Sequence, residues 1–530
     1  MKLKLRLGIL VVLLFGTAAR ATILDDLGVT LFRAVTTNLD GRGIAVAQPE
    51  ASLSTDLQTW QVNPTTTSHP ATIFTYASTN GSTNVFPNNI GKESSHADGV
   101  GQNLYGIPNG IATNLLRVDN SEADYFINTY VLSTLPPPAI GDPIVNQSFS
   151  FGPLSVSDQQ QADSGYDDYA AQYRTLFVSA VNNYGQSAVV CAPGTAYNSI
   201  GVGAVYPVSY NNSIGPTPDN GRCKPDLSGR WGDTSTAAAQ VSGAAAVLMQ
   251  AALRGDGGSD TNSAFDLRTI KALLMNGAVK PADWTNSTAS PLDMRYGAGV
   301  FNLFNSYEQL IGGKRSYIVS TTASSGGAHP PNGATGTVAV LSGWDLNTSS
   351  SSVLNDGINH YYFNVTNGAG TAKLTATLVW NRQQNQSAIN NLNLFLYNVA
   401  NSNLVICSTS AVDNVEHLYV TNLPAGRYDL QVWKAGGFGT VSSSETYALA
   451  WNFALPPTIA PVLTMAKSGP NAVLSWPILP NGFVVQSTAN LNPPAAWSTD
   501  AIPAVIYTNQ QNYIMLNPTN AGQFFRLVWP

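Results

Sequence analysis

The spacing of apolar and polar positions divides the chain into two regimes. Up to about residue 315, short apolar runs alternate with stretches of helical period. Beyond it the helical period stops and two-residue alternation takes over. The sharpest helical signal is 231–250, WGDTSTAAAQVSGAAAVLMQ, in which Val241, Ala244, Ala245, Val247 and Leu248 recur at helical spacing. One face of that helix should be buried. Ile44 to Ala47, Ile144 with Val145, and LFVSAV (176–181) read as buried strands, and DDYAAQYRTL (167–176) reads as a helix. Strand runs interleaved with helical ones are the α/β pattern. In the second regime LTATLVW (374–380), LNLFLYNV (392–399) and RYDLQVW (427–433) alternate as half-buried strands, after a linker-like GAHPPNGATG (327–336). A further β module from about 458 has strands near Val473 to Trp476, Phe483 to Gln486 and Phe524 to Val528, with Trp476 and Trp497 read as core.

Composition narrows the setting. Of 530 residues only 11% are charged, with a net charge of −6, so no basic patch exists to displace phosphate counterions and a nucleic-acid partner is excluded. Residues 1–21 combine a basic start, an apolar run from Leu7 to Phe15 and Ala19-Arg20-Ala21 as an A-x-A cleavage site. This predicts export, to the medium or the cell envelope, with no retained membrane anchor, since the run is short for a bilayer and no later segment matches it. Three cysteines leave one unpaired, and Cys191 with Cys223 is the candidate bridge, Cys407 lying far downstream. No Cys/His cluster has metal-ligand spacing, so no transition metal and no cofactor are expected, with a structural calcium left open.

Three places carry candidate chemistry. Ser235 stands at or just before the first helical turn, where free N–H groups and the positive end of the macrodipole favour an oxygen acquiring negative charge. Helix N-capping by Thr234 and Ser235 is the competing reading. Glu50 follows the strand Ile44 to Ala47, at the kind of strand end whose loops form sites in α/β sheets. Histidine occurs at five positions, 69, 96, 329, 360 and 417, and His96 is followed by small and apolar residues that suit a helix start.

These stretches resemble the subtilisin-like serine peptidases, the subtilases. The serine block GTSxAAPxVxG matches at Thr234, Ser235, Ala237, Ala238, Val241 and Gly243, with Asp233 for the first glycine and Ala239 for the proline. The block GxGVxVAVIDTG, counted from Gly41 and Gly43, puts Glu50 at its aspartate; a slipped count puts Gln48 there and removes the acid. His96, Ala97, Val100 and Gly101 match HGTHVAG in part, Asp98 and Gly99 standing for its threonine and second histidine. DPIVNQSFSFG (142–152) looks like the family's substrate-pairing strand, so Ser148, Phe149 and Ser150 would line the cleft and take peptide by strand addition. LFVSAVNN looks like VVVAAAGN, which puts Asn182 at the oxyanion donor, with Asn183 as the alternative and Val181 at the glycine. CAPGTAYNSIGVGAV (191–205) and Lys224-Pro225-Asp226 match closely, and 269–279 and 296–302 resemble the domain's end.

The resemblance implies a parallel-sheet α/β catalytic domain with helices on both faces, at 22–315 after a signal peptide at 1–21. A β jelly-roll would follow at 316–457 and a small β-sandwich at 458–530. It implies a secreted serine endopeptidase acting on proteins or peptides through Ser235, His96, Glu50 and Asn182. A catalytically silent binding or scaffold protein is the main rival, given the substituted positions Glu50, Asp98, Val181 and Asp233. An acid-acting serine-carboxyl peptidase and an esterase are weaker rivals, the latter lacking a G-x-S-x-G elbow around Ser235.

Overall fold

The structure is a computed structural model that describes residues 22–530 apart from 53–54, 134, 206–211, 328–330, 332, 367–370, 458–459, 480–481, 493–494, 500–501, 504, 509–510, 518–522 and 530. The expected signal peptide, His329 and part of the linker-like stretch lie outside the described residues. Two compact units are found, Asp26–Pro456 and a second that contains Pro457–Pro530.

The first unit is built on an eight-stranded sheet: β1 Ala45–Glu50, β2 Phe74–Ser78, β3 Gly81–Thr83, β4 Arg117–Glu122, β5 Ile144–Gln147, β6 Leu176–Ala180, β7 Ile200–Ala204 and β8 Leu227–Gly229. In space the order is β8-β7-β6-β5-β1-β4-β2-β3, parallel throughout except for the β2–β3 hairpin. β1, β5, β6, β7 and β8 are buried along their whole length; β6, β7 and β8 are accordingly apolar or small throughout, while β1 and β5 turn polar at their carboxyl ends. The helices that matter here are α1 Ser95–Leu104, α2 Val156–Tyr173, α3 Thr234–Arg254 and α4 Leu267–Asn276. α3 is long and apolar enough to cross a membrane, yet it is the buried centre of the domain, with Val241, Ala244, Ala245, Val247 and Leu248 fully enclosed. Alanine and Gly243 make this possible: a Cβ on Gly243 would meet Ile111 Cβ at 2.8 Å.

The alternating region after residue 316 forms a five-stranded and a four-stranded antiparallel sheet. Their shared core contains Tyr361, Phe363, Leu374, Leu378, Leu394, Leu430, Leu449 and Trp451. The three stretches read as strands fall in Ala372–Trp380, Leu392–Asn398 and Gly426–Lys434. The sandwich belongs to the same compact unit as the α/β sheet, joined by buried polar contacts. Arg382 Nε lies 3.3 Å from Asp167 Oδ2 on α2. Asn198 clasps the Arg382 backbone, accepting from its N–H at 2.8 Å and donating to its carbonyl at 2.9 Å. Cys223 N–H donates to Asp413 Oδ1 at 2.7 Å, and Thr377 Oγ1 to Asn276 Oδ1 at 2.9 Å. The C-terminal unit has a four-stranded and a two-stranded sheet around Leu474, Trp476, Val485 and Ile514, so Trp476 is core as expected.

The candidate disulfide is not formed. Cys191 and Cys223 are both buried and free, because each is committed to a different neighbour: Cys191 Sγ to the Asn182 amide, Cys223 to the seam with the sandwich.

The seam gives a stability prediction. Asp167 is fully buried and burial pushes its carboxyl upward, with Arg382 opposing that shift. Removing the guanidinium in Arg382→Ala leaves a buried acid without its partner and should cost about 3 to 5 kcal/mol, measured as a lower urea midpoint for the full chain.

Candidate active site

The parallel arrangement brings the carboxyl ends of β1, β5 and β6 side by side, as the sheet order requires. β1 ends at Glu50, which is wholly buried and has both carboxylate oxygens engaged. Oε2 accepts from His96 Nδ1 at 2.9 Å, and Oε1 accepts from Gln48 Nε2 at 2.8 Å. Gln48 and Glu50 sit two apart on the strand and so share a face. The Gln48 amide also donates to Ala97 O at 3.0 Å, and its Oε1 accepts from the buried Tyr105 hydroxyl at 2.7 Å. The two candidate positions for the acid therefore have distinct places: Glu50 meets the imidazole and Gln48 braces Glu50.

His96 is the second residue of α1, whose N-cap is Ser94, accepting from Ala97 N–H at 3.3 Å. Its side chain is 41% exposed where that of Glu50 is 1% exposed, so one edge of the ring meets the carboxylate and the rest reaches solvent. The Glu50 hydrogen bond raises its proton affinity above the usual histidine range; burial opposes this, and the charges of Glu50 and Asp233 add to it.

Ser235 is the second residue of α3, and the cap belongs to neither Ser235 nor Thr234. Asp233, the residue that departs from the family block, caps the helix by accepting from Thr236 N–H at 2.8 Å. Ser235 is thereby released from capping. Its Oγ donates to Ser148 O at 3.0 Å, and Ser148 Oγ donates back to Ser235 O at 2.8 Å. Ser148 is thus a buried brace for the serine turn rather than an open cleft residue, held in turn by Asn146 Nδ2 at 3.0 Å. Phe149 and Ser150 beside it are half-buried, and Phe149 stacks on Phe151 at 6.3 Å. No hydrogen bond joins His96 to Ser235 among the described residues; the charge of Asp233, at the N-cap before Ser235, acts on the imidazole.

The asparagine assignment changes. Asn182 has φ 101°, in the left-handed region that glycine favours, and its amide is turned inward to Cys191 Sγ at 3.1 Å. Asn183 is the one that meets the serine turn: its Oδ1 accepts from Thr234 N–H at 2.9 Å and from Thr234 Oγ1 at 3.0 Å. Its Nδ2 has no partner among the described residues, and neither does the backbone N–H of Ser235, so two donors stand unspent beside the hydroxyl. The doubled asparagine was the available signal, because asparagine tolerates left-handed backbone and Asn182 can occupy the glycine place of the family strand.

The remaining described histidines are engaged elsewhere. His69 meets Tyr105 O, and His417 meets Thr377 Oγ1. His360 forms a carboxylate–imidazole–hydroxyl row in the sandwich, 2.8 Å from Asp429 and 2.7 Å from Thr321, with its ring and the carboxylate both buried. Sequence reading gave no sign of that row, whose members are 39 and 69 residues apart.

Residues 139–299 match the Subtilase family, a stretch running from β5 through Ser235 to the end of the α/β domain. The likeness to that family is carried by this segment. The match does not extend to Glu50 or His96. No curated protein matches the chain. Among solved structures it is similar to tripeptidyl peptidase 2, at 12% identity and a TM-score of 0.32, over 82% of this chain and 52% of that one. This chain thus spans about half the length of that protein. Latent PorU from Porphyromonas gingivalis aligns at 14% identity and a TM-score of 0.14, over 39% of this chain and 22% of that one. Likenesses of this size carry no argument about function.

The Glu50–His96 pair sets a titration. The His96 midpoint, followed by its ring proton resonances, should lie above about 6.5 and fall in Glu50→Gln. A raised histidine contributes stability that is fully present below its unfolded pKa and is lost as pH rises through the folded one. The stability difference between wild type and Glu50→Gln should therefore shrink across that window on going to alkaline pH.

Proposed function

We propose that this protein is an exported serine endopeptidase that cleaves peptide bonds in proteins. The observation that carries the reading is the buried Glu50 carboxylate hydrogen-bonded to His96, together with the two unspent donors beside Ser235. In the reaction the Ser235 hydroxyl turns from Ser148 O toward His96, which takes its proton as the oxygen attacks the substrate carbonyl. Hydroxyl–imidazole hydrogen bonds are often long or misaligned without substrate. Glu50 holds the Nδ1–H tautomer, so Nε2 is the basic nitrogen, and it stabilises the imidazolium that forms. The negative oxygen of the tetrahedral intermediate is met by Ser235 N–H and Asn183 Nδ2 at the start of α3, where the helix dipole adds to both. Collapse expels the amine, which His96 protonates, and leaves an acyl-enzyme on Ser235 Oγ that water then hydrolyses.

Glutamate in place of aspartate lengthens the acid by one methylene. The Gln48 amide supports this longer arm by holding the oxygen that His96 does not use.

One observation favours the rival reading of a silent binding or scaffold protein: Ser235 Oγ is spent on Ser148 O rather than on His96. A fluorophosphonate decides between them. The endopeptidase reading expects covalent labelling of wild type that is lost in Ser235→Ala; equal labelling of both, or none in either, overturns it. Glu50→Gln should lower kcat by about 10^3 to 10^4. Asn183→Ala should lower it by about 10^2 to 10^3, more than Asn182→Ala, measured on casein at a pH above the His96 midpoint.

A further inference from the structure

Resting on the endopeptidase reading, we infer that Asp233 sets a charge preference, favouring substrates with lysine or arginine just past the scissile bond, on the leaving-group side. Asp233 is two residues before Ser235, in the turn that enters α3, and is only partly buried. One of its carboxylate oxygens is fixed by the cap hydrogen bond to Thr236 N–H at 2.8 Å, and the other has no partner among the described residues. The cap holds the carboxylate in place, so its charge is a fixed feature of the cleft rather than that of a mobile surface chain.

The chemistry of the step places the substrate. His96 must deliver its proton to the departing amine, so the segment that leaves passes over the imidazole. Asp233 caps the helix whose second residue is Ser235, so its carboxylate borders the serine turn that the imidazole serves, and its charge acts on that imidazole. The leaving segment therefore passes both groups. The cation nearest Asp233 in sequence, Arg230, is already committed to Asp26 at 2.8 Å. A basic residue entering there meets uncompensated negative charge, and an acidic one is repelled. Glycine at this position, as in the family block, would carry no such charge.

The test digests unfolded casein and albumin with the full-length protein and identifies new N-termini by mass spectrometry, normalised to residue occurrence. Fluorophosphonate labelling of the same preparation counts competent sites. Wild type should favour Lys and Arg over Asp and Glu at the first two positions after the cut by roughly three- to tenfold, the range expected of one partly solvated charge. The preference should shrink as added salt shortens the screening length. In Asp233→Asn and Asp233→Ser, both good N-caps, it should fall to about one while labelling persists. A labelled wild type that cuts without charge preference, or variants that keep the preference, overturns the role of Asp233 and leaves the endopeptidase reading standing. Absence of labelling overturns both.

Discussion

A carboxylate carried into the interior at the end of a central strand has to find partners for both oxygens, because the desolvation it suffers there is far larger than any single neutral hydrogen bond returns. Glu50 is in that position, and much of the site's geometry follows from it. The strand must end where α1 begins, so that His96 arrives from the first helical turn, and the strand must carry an amide two residues earlier to meet the second oxygen. Tyr105, at the far end of α1, anchors that amide in turn, while Gln48 also reaches back to the α1 backbone at Ala97. Strand and helix are thereby locked at both ends of the helix, and the imidazole is left with one freedom, its solvent-facing edge.

The serine turn shows the complementary arrangement. A helix start presents several N–H groups, and each must be used or left open deliberately. Asn183 takes the N–H of Thr234, and Asp233 takes that of Thr236. The one between them, on Ser235, stays open. The residue that breaks the family block at position 233 thus preserves its geometry by other means, supplying from a side chain the cap that a glycine could not. It also brings a charge that glycine lacks.

The sequence made the scaffold readable wherever burial forces a pattern. The α3 stripe, the strand ending at Ala180 and the apolar start of the strand ending at Glu50 are visible because a fully enclosed segment away from a site is mostly small or apolar. What stayed hidden depends on backbone angle and on distant partners. Choosing between Asn182 and Asn183 required knowing that φ at 182 is positive. Seeing that Ser235 is not the helix cap required the Asp233–Thr236 bond, and the free state of Cys191 and Cys223 required seeing their separate neighbours. Ser148 read as a cleft residue because its strand matched, yet its hydroxyl is turned down onto the α3 backbone.

The segment that most closely follows the family pattern, residues 191–205, supplies contacts that hold the scaffold together. Thr195 donates to Asp163, and Asn198 grips both Asp167 and the Arg382 backbone of the sandwich. Asp226 of the Lys224-Pro225-Asp226 match receives Lys224, Lys271 and the Gly201 N–H, pinning α4 to the edge of the sheet. Buried ion pairs of this sort give little net stability over an apolar seam, but a misplaced element leaves them unpaired at large cost, so they select one docking. The sandwich therefore behaves as part of the scaffold. Through α2, α4 and the 191–205 turn it fixes the flank of the sheet whose strand ends carry Asn183 and the serine turn.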